Sequence, residues 1–312
     1  MRIVSVGDLV VDYYYKDGKL LGINGGMTSH NIIANLAKKG IKTAAFACCG
    51  DDFQGQIAIK SLEKLKVDIS NIKIIKGIKT RCFHISYHDE NGKLSFTSKK
   101  RCPFCDTKKW YEESLLDTKY ILSNIKPDDI LVFDNLNEKN QVIIDNVDNK
   151  KVIDLGQYFE LEKMSNEEII KKIDNKFEII NFNERVSNYL LKRLNLENEL
   201  DLYNIIHPQL MTITRGENGA TFIANDNIYN FKLISRCDVV DSTGAGDAFI
   251  SSVIKECIKN NFVYGTNKFK KWYENSNKLT AKVVSKMGAR GHINSLFKIK
   301  KINQICPCDM FD

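Results

Sequence analysis

The sequence predicts an α/β fold, in which a doubly wound, mainly parallel sheet is flanked by helices and accompanied by a small β-sheet. Short apolar runs alternate with segments of helical periodicity, as they do in repeated β-α-β units. Two pairs of strand-like runs joined by turn residues interrupt this alternation. The chain has 312 residues, of which 43% are hydrophobic, so it is long enough to bury a large core.

The alternating segments can be assigned in chain order. A first strand at 2–6 is followed by a helix that has Thr28 or Ser29 as its N-cap and Gly40 as its C-terminal stop. The remaining segments of this pattern are a helix at 58–65 and strands at 43–49, 130–133, 151–153, 177–180 and 211–214.

Two predicted hairpins form the small sheet. The first joins 10–15 to 19–23 through a Lys-Asp-Gly turn, and the second joins 80–87 to 93–98 through an Asn-Gly turn. Such turn residues tolerate positive φ angles, which two-residue hairpin loops require.

The first strand of the second hairpin has one apolar face. Phe83, Ile85 and Tyr87 alternate with more polar residues, so we expect this strand to have a single covered face. The same apolar residues could pair with a second copy of the chain, which makes a homodimer through this small sheet an open expectation.

Residues 241–247 read Asp-Ser-Thr-Gly-Ala-Gly-Asp and carry the strongest functional signal. Apolar side chains recur at helical spacing from Ala248 onward, so a helix is expected to start near 244–247. The first turn of a helix has unpaired N–H groups and a positive dipole end, and Gly244 and Gly246 permit close approach to the backbone. This turn therefore predicts an anion site, such as one for a phosphate.

Asp247 has two interpretations. An acidic residue in the first turn of a helix is commonly placed there by the helix dipole. Alternatively, Asp247 is a general base that takes a proton from a substrate hydroxyl, while the glycine turn stabilises charge on a transferred phosphoryl group. The two glycines and the strand-like residues before them favour the second interpretation.

The run at 241–247 resembles the C-terminal signature of the PfkB (ribokinase-like) family of carbohydrate kinases. The resemblance implies a single ribokinase-like α/β domain over 1–312, with a lid formed by inserted segments at about 10–24 and 80–100. It also implies that Asp247 is the base and that Gly244, Ala245 and Gly246 form the anion hole.

The N-terminal region is similar to the same family. Asp12 follows the first strand, where the family holds sugar hydroxyls with a carboxylate. Gly25 and Gly26, followed by Asn31, resemble the N-terminal signature, whose glycines face the sugar and whose Asn bonds a hydroxyl. The sequence departs from the pattern here: one extra residue separates the glycine pair from Asn31, or Met27 stands in place of the second glycine. A lysine that some relatives carry at this loop is also missing.

Further along, Thr214, Gly216 and Gly219 belong to a run that resembles the family's turn for ATP phosphates and ribose. Asn277 precedes Gly288-Ala289 at the spacing at which relatives have an Asn that borders the adenine pocket. The resemblance therefore implies ATP as the cosubstrate.

The resemblance also implies a metal. Asn181 stands three residues before Glu184, as in the family's N-x-x-E motif, which orders Mg²⁺ and its water shell, and we prefer this pairing to one with Asn183. Hard oxygen ligands and triphosphate charge both call for Mg²⁺. A requirement for a monovalent cation stays open.

Nine cysteines allow a second metal hypothesis. Cys102 and Cys105 form a C-x-x-C pair, and Cys306 and Cys308 form a tighter pair, so together they offer four thiolates to zinc. The odd number of cysteines argues against a disulfide framework, and reduced thiols are the preferred interpretation.

The net charge of +7 is spread along the chain without a concentrated basic block, so we expect a solvated surface and no nucleic-acid partner. No apolar stretch reaches the length of about 18 residues that a membrane span needs, and no cleavage site follows the N-terminal apolar run. A cytoplasmic protein without a membrane partner is the resulting expectation.

Together these features predict an ATP-dependent kinase that phosphorylates a hydroxyl of a sugar or sugar derivative. A nucleoside or pseudouridine kinase is the alternative, with Tyr13, Tyr14 and Phe83 as an aromatic slot for the base. A catalytically inactive ligand-binding or regulatory homologue is the alternative of another class. The motifs of P-loop enzymes, Rossmann dehydrogenases, protein kinases and zincins do not occur.

Overall fold

The structure, a computed structural model, describes residues 1–90, 93–102, 105–106, 113–157, 160–234 and 237–298. The described chain divides into two compact units. Unit 1 comprises residues 1–4, 117–237 and 245–281, and unit 2 comprises residues 5–116, 238–244 and those from 282 onward.

Strands and helices alternate along most of the chain, as predicted. The strands are β1 (Ile3–Asp8), β2 (Val10–Lys16), β3 (Lys19–Gly25), β4 (Thr43–Gly50), β5 (Ile72–Ile75), β6 (Arg81–Glu90), β7 (Lys93–Lys99), β8 (Ile130–Phe133), β9 (Lys151–Leu155), β10 (Ile179–Asn183), β11 (Leu210–Thr214), β12 (Ala220–Ala224) and β13 (Asn227–Phe231). The α-helices are α1 (Thr28–Lys38), α2 (Phe53–Glu63), α3 (Thr118–Asn124), α4 (Glu138–Asp145), α5 (Asn166–Ile173), α6 (Glu184–Leu194), α7 (Glu199–Ile206), α8 (Ala245–Lys259) and α9 (Thr266–Val284). Within the described residues, no helix is both long enough and apolar enough to cross a membrane.

The main sheet is largely parallel. In unit 1 the strand order is β13-β12-β11-β10-β9-β8, followed by the start of β1. Strands β8 to β11 pair in parallel, whereas β12 and β13 are antiparallel additions at the edge. In unit 2 the rest of β1 lies beside β4, which pairs in parallel with β5. The predicted mainly parallel α/β architecture is confirmed.

A separate small sheet in unit 2 has the order β3-β2-β6-β7. Strands β2 and β3 form one antiparallel hairpin, β6 and β7 form the other, and β2 pairs with β6 in parallel. Both predicted hairpins are therefore confirmed. Asp17 and Gly18 adopt the positive φ angles that the first turn requires, and the Asn91-Gly92 turn of the second lies outside the described residues.

One face of the small sheet packs against α2. His84 is buried there, with ring centroids 5.0 Å from Tyr13 and 5.8 Å from Tyr15. Gln54 of α2 donates a hydrogen bond to the hydroxyl of Tyr13 at 2.9 Å. The prediction that β6 has a single covered face is wrong, because α2 covers the face to which His84 belongs.

The opposite face is covered as well. Ile85 and Tyr87 are 4% and 2% exposed, and they pack with Tyr14 against Met287 and Leu296. Because the C-terminal part of unit 2 already covers these side chains, they do not form the open apolar surface that the expected homodimer through this sheet would use.

The N-terminus of α1 differs from the predicted one. Met27 is the N-cap with φ 74° and ψ 131°, and no side chain caps the helix. A positive φ at a methionine is costly and is normally a position for glycine. This conformation fits the alternative in which Met27 stands where the N-terminal signature has its second glycine. Gly40 follows the C-cap with φ 80°, as the stop signal predicted.

Helix α8 is held in unit 1 by an aromatic cluster. The ring of Phe249 on α8 lies 5.8 Å from that of Phe222 on β12, which lies 5.5 Å from Phe269 on α9. Trp272 closes the cluster with a ring 5.3 Å from Phe269. Edge-to-face and tilted contacts of this kind fix the direction of a helix on a sheet.

We expect acid to destabilise unit 2 through His30. The ring of His30 lies buried between the hydroxyl of Ser5 at 2.8 Å and the carbonyl of Asp8 at 3.2 Å. Burial lowers the pKa of His30 to about 3, and the positive charge of Arg290 adds to this. The folded state therefore binds fewer protons than the unfolded state between about pH 6.5 and pH 3. Stability should fall by about 1.4 kcal/mol per pH unit per such histidine as the pH decreases through this window.

Melting temperatures measured from pH 7 to pH 4 test this expectation. Burial also lowers the pKa of His84 and His292 to about 4, so these histidines add to the slope, whereas Asp154, whose pKa is raised to about 7, opposes it. The variant His30→Gln should be less stable at pH 7, and its melting temperature should fall less steeply toward pH 4. An unchanged slope in His30→Gln would contradict the assignment.

Candidate active site

The predicted anion turn leads directly into helix α8. Gly244 has φ 82°, and a Cβ atom at this position would lie 2.7 Å from the Cα atom of Ala289. Helix α8 begins at the next residue, Ala245, so the N–H groups of its first turn have no partner within the helix. The predicted helix start at 244–247 is confirmed.

Asp247 lies in the first turn of α8 and is 8% exposed. Asp154, the penultimate residue of β9, is buried in the same unit, and burial together with the charge of Asp247 raises the pKa of Asp154 to about 7. A Cβ atom at Gly246 would lie 3.9 Å from an oxygen of Asp154. The carboxyl groups of Asp154 and Asp247 thus both lie near the N-terminus of α8.

Asp154 is held by a ladder of side chains across three parallel strands. Asn181 of β10 donates from Nδ2 to Asp154 Oδ1 at 2.9 Å, and Thr212 of β11 donates to Asn181 Oδ1 at 2.7 Å. These residues face one another in the strand register. The amide of Asn181 therefore orients Asp154, which is a different task from ligating a metal directly.

Glu184, the other predicted metal residue, is the first residue of α6 and pairs with Arg215 at 3.2 Å. Asn183, the alternative to Asn181, is the N-cap of α6 and accepts from the N–H of Val186. In the described residues no group of three or more His, Cys, Asp or Glu side chains is arranged to hold a metal.

The carboxyl oxygens of Asp154 and Asp247 are nevertheless hard donors of the type that Mg²⁺ prefers. Burial and the charge of Asp247 raise the pKa of Asp154, and a divalent cation beside the two carboxylates would relieve their repulsion. The donor set therefore fits Mg²⁺, with Asp154 as the first candidate to hold it. A carboxylate that ends an apolar strand run was visible in the sequence but was not singled out.

The predicted ATP turn also lies in unit 1. Thr214 ends β11, and Gly216 and Gly219 have φ angles of 56° and 96°. A Cβ atom at Gly219 would lie 1.8 Å from the carbonyl oxygen of Phe231, so only glycine fits there. Asn277 is buried on α9.

Arg215, within this turn, was not predicted as a site residue. Its guanidinium donates to Glu184 at 3.2 Å, to Glu199 at 2.7 Å and to the hydroxyl of Thr221 at 3.2 Å. Arg215 therefore connects the turn to the first residue of α6 and the first residue of α7.

The predicted acceptor residues come together in unit 2. A Cβ atom at Gly26 would lie 2.3 Å from Oδ2 of Asp12, so the carboxylate rests directly on this glycine. A Cβ atom at Gly25 would lie 2.2 Å from Oγ of Ser61 and 2.5 Å from Nη1 of Arg290. The glycine pair therefore makes room for protein side chains on both sides.

Arg290 organises this cluster and was not predicted. It is 1% exposed and donates to Asn31 Oδ1 at 2.7 Å, to the Gly26 carbonyl at 2.9 Å and to Ser61 Oγ at 2.6 Å. Because Oδ1 of Asn31 accepts from Arg290, this hydrogen bond fixes the orientation of the amide. In the sequence, Arg290 was one basic residue among 46.

The Asp12 face of the small sheet carries two stacked tyrosines. Tyr14 donates to Asp12 Oδ2 at 3.2 Å, and its ring centroid lies 6.4 Å from that of Tyr87. Phe83, which is half-buried, faces Asp12 in the parallel register. Tyr13 lies on the opposite face against α2, so it does not contribute to an aromatic slot beside Asp12, since successive side chains of a strand alternate between faces.

The structure describes two of the four cysteines that were considered as zinc ligands, Cys102 and Cys105. The described cysteines form no disulfide bonds, and Cys102 is buried. Cys102 and Cys105 do not join a metal-binding group in the described part of the chain. Cys306 and Cys308 lie outside the described residues.

The mainly parallel α/β sheet flanked by helices, with its separate small sheet, is a ribokinase-like fold. Residues 3–295 match the pfkB family carbohydrate kinases, so the chain belongs to this family and is a carbohydrate kinase. The predicted family and enzyme class are confirmed.

Solved structures share the fold at low identity. A sugar kinase of Pyrococcus horikoshii in complex with ATP is 21% identical, with a TM-score of 0.70 and coverage of 92% of this chain and 93% of the other. A Burkholderia thailandensis nucleoside kinase in complex with inosine is 14% identical, with a TM-score of 0.72 and coverage of 93% of each chain. Aminoimidazole riboside kinase from Salmonella enterica is 18% identical, with a TM-score of 0.69 and coverage of 93% and 95%. No curated protein matches the chain.

Proposed function

We propose that this carbohydrate kinase transfers the γ-phosphoryl group of ATP to a hydroxyl of a sugar or sugar derivative. The observation that carries the proposal is the buried Asp247 in the first turn of α8, directly after the Gly244-Ala245-Gly246 turn. The family match over residues 3–295 and the ATP complex of a structural neighbour support it.

In this proposal Asp247 takes the proton of the acceptor hydroxyl. The hydroxyl oxygen forms the new bond to the γ-phosphorus, the bond from that phosphorus to the bridging oxygen breaks, and ADP leaves with the electron pair. In this proposal the N–H groups of Gly244, Ala245 and Gly246 stabilise negative charge that spreads over the transferred group. Chemistry of this kind depends on position and electrostatics rather than on a covalent intermediate.

The acceptor is bound by Asp12, Gly25, Gly26 and Asn31 in this proposal. The carboxylate of Asp12 accepts hydrogen bonds from hydroxyl groups, and Asn31 contributes an amide that Arg290 holds in a fixed orientation. Their convergence on one glycine turn in unit 2 supports this role.

Thr214, Gly216, Gly219 and Asn277 are proposed to bind ATP, as the family resemblance implies. Bound Mg²⁺ would neutralise charge on the phosphates. Asp154 would hold the Mg²⁺ ion, and Asn181 would orient Asp154. Glu184 would order the water shell of the ion. The hydrogen bond from Asn181 to Asp154 supports this division of roles.

A screen of ADP release with ATP, Mg²⁺ and a panel of sugars, amino sugars and nucleosides tests the proposal. We expect ADP release that depends on at least one sugar-type acceptor, together with a phosphorylated product identified by mass spectrometry. Acceptor-independent release, or silence with every compound, would contradict the proposal and would favour an inactive regulatory homologue.

A nucleoside acceptor is the second candidate. Phe83 favours it, because this half-buried ring stands beside Asp12 on the same face of the small sheet and could stack on a base. The neighbours with inosine and aminoimidazole riboside also favour it. If Phe83→Ala lowers kcat/KM by about tenfold for nucleosides and leaves free sugars unaffected, the aromatic slot is established.

A further inference from the structure

Asp241, the first residue of the 241–247 run, is a buried junction in unit 2. Its Oδ2 accepts from the N–H of Gly288 at 2.6 Å, and its Oδ1 accepts from the N–H of Thr243 at 2.8 Å. The hydroxyl of Tyr87, on β6 of the small sheet, donates to the same carboxylate. Asp241 therefore connects the turn, the segment around Gly288 and the small sheet.

The segment before α8 is fixed along its length by these contacts. The N–H groups of Val240 and Asp241 both donate to the carbonyl of Val284, at 2.8 Å and 3.0 Å. Gly244 is packed so closely on Ala289 that a Cβ atom has no room. The position of the turn that opens α8 thus depends on the carboxylate of Asp241 and on the groups that donate to it.

Tyr87 is suited to be a permanent donor in this junction. Its side chain is 2% exposed, and burial together with the charge of Asp241 raises the pKa of Tyr87 well above its ordinary value. The phenol therefore keeps its proton, and the hydrogen bond to the carboxylate is charge-assisted and directional.

The same tyrosine touches the acceptor side of unit 2. Tyr14 stacks on Tyr87 with an interplanar angle of 14°, and its hydroxyl donates to Asp12. A Cβ atom at Gly288 would lie 3.1 Å from Cζ of Tyr14, so Tyr14 also packs on the segment that Asp241 holds. Two stacked rings thus join the carboxylate of Asp12 to the carboxylate of Asp241.

We propose that Tyr87 is a positioning residue for phosphoryl transfer, which holds Asp241 and the turn that follows it and which couples this turn, through Tyr14, to the acceptor carboxylate of Asp12. The inference rests on the proposed function and assigns a role to residues outside the family motifs. Neither tyrosine touches the reacting atoms in this role. Each acts through the carboxylate to which it donates.

Tyr87→Phe removes the hydroxyl and keeps the ring. We expect kcat to fall by about tenfold to a hundredfold, since a displaced group in a positional mechanism costs this much, while KM for ATP changes by less than about twofold. Tyr15→Phe is the matched control, because Tyr15 is also buried in the small sheet and its hydroxyl is hydrogen-bonded to His84 on the opposite face. Tyr15→Phe should lose similar thermal stability and keep its kcat within about twofold.

A double-mutant cycle measures the coupling between Tyr14 and Tyr87. Tyr14→Phe should raise KM for the acceptor, and its effect on kcat/KM should be non-additive with that of Tyr87→Phe, whereas Tyr15→Phe and Tyr87→Phe should be additive. If Tyr87→Phe does not fold, Asp241→Asn, which keeps the shape of the side chain, should show the same fall in kcat.

Equal kcat values for Tyr87→Phe, Tyr15→Phe and the wild type would overturn the positioning role, and additivity with Tyr14→Phe would overturn the coupling. Failure of the proposed function is a different result, because the wild type would then have no acceptor-dependent activity with any compound of the panel.

Discussion

Asp247→Asn is expected to lower kcat by about 10²–10⁴-fold, the range that a positioned general base contributes, with ATP binding nearly unchanged. The asparagine has the same shape but cannot accept the proton of the acceptor hydroxyl. Steady-state kinetics and ATP titration of the variant measure both quantities. Activity within a few-fold of the wild type would remove Asp247 from the role of base.

The turnover of the same variant, and not its thermal stability, separates the two interpretations of Asp247. If the helix dipole alone placed this acid, its loss would cost about 0.3–1 kcal/mol and leave the turnover intact. The structure adds an opposing effect, because burial together with the charge of Asp247 raises the pKa of Asp154 to about 7. Removing that charge relieves the repulsion, so we expect Asp247→Asn to be at least as stable as the wild type near pH 7.

Asp238→Asn provides the control for this experiment. Asp238 is an exposed acid that precedes the glycine turn in the chain. Its neutralisation changes the net charge by the same amount without altering the first turn of α8. We therefore expect its kcat and its melting temperature to stay close to those of the wild type.

Arg290→Met is expected to have the second large effect. The substitution keeps much of the side-chain volume but leaves Asn31 Oδ1, the Gly26 carbonyl and Ser61 Oγ without their buried donor. Each buried group left unsatisfied costs about 1–3 kcal/mol, so we expect a loss of several kcal/mol in the free energy of unfolding. KM for the acceptor should rise by about tenfold or more because the amide of Asn31 loses its fixed orientation, while KM for ATP should stay unchanged.

Arg193→Met is a matched control for Arg290→Met. Arg193 donates to Asn166 Oδ1 and to the carbonyls of Leu161 and Met164, so it also satisfies several groups with one guanidinium. It lies in unit 1, outside the proposed acceptor residues. Both variants should lose stability, and only Arg290→Met should lose affinity for the acceptor. If both variants lost affinity for the acceptor to the same extent, Arg290 would have a purely structural role.

Local patterns explain why much of the fold was predictable. The alternation of apolar runs with helical spacing is a property of neighbouring residues, and it located most strands of the main sheet and both hairpins of the small sheet. The start of α2 was placed too late because its cap is a polar contact: Asp52 accepts from the N–H of Gly55, and this begins the helix at Phe53.

The order of short motifs along the chain explains why the candidate site residues could be predicted. Gly244 and Asp247 stand in one run, and the glycines at 25, 26 and 219 mark places where a side chain would collide with neighbouring atoms. The sequence could not indicate what fills those places. Periodicity likewise gave β6 one covered face, although α2 and the C-terminal part of unit 2 cover both.

By itself, the sequence determined the α/β class, the helix start at the glycine turn and the family, because these follow from spacing over a few residues and from the order of short motifs. The tertiary structure alone decided which side chains support the candidate site. Arg290 reaches Gly26 across 264 residues, Tyr87 reaches Asp241 across 154, and Asn181 orients Asp154 from the next strand. Hydrogen bonds of this kind depend on how distant segments pack, and no local pattern of the chain records that packing.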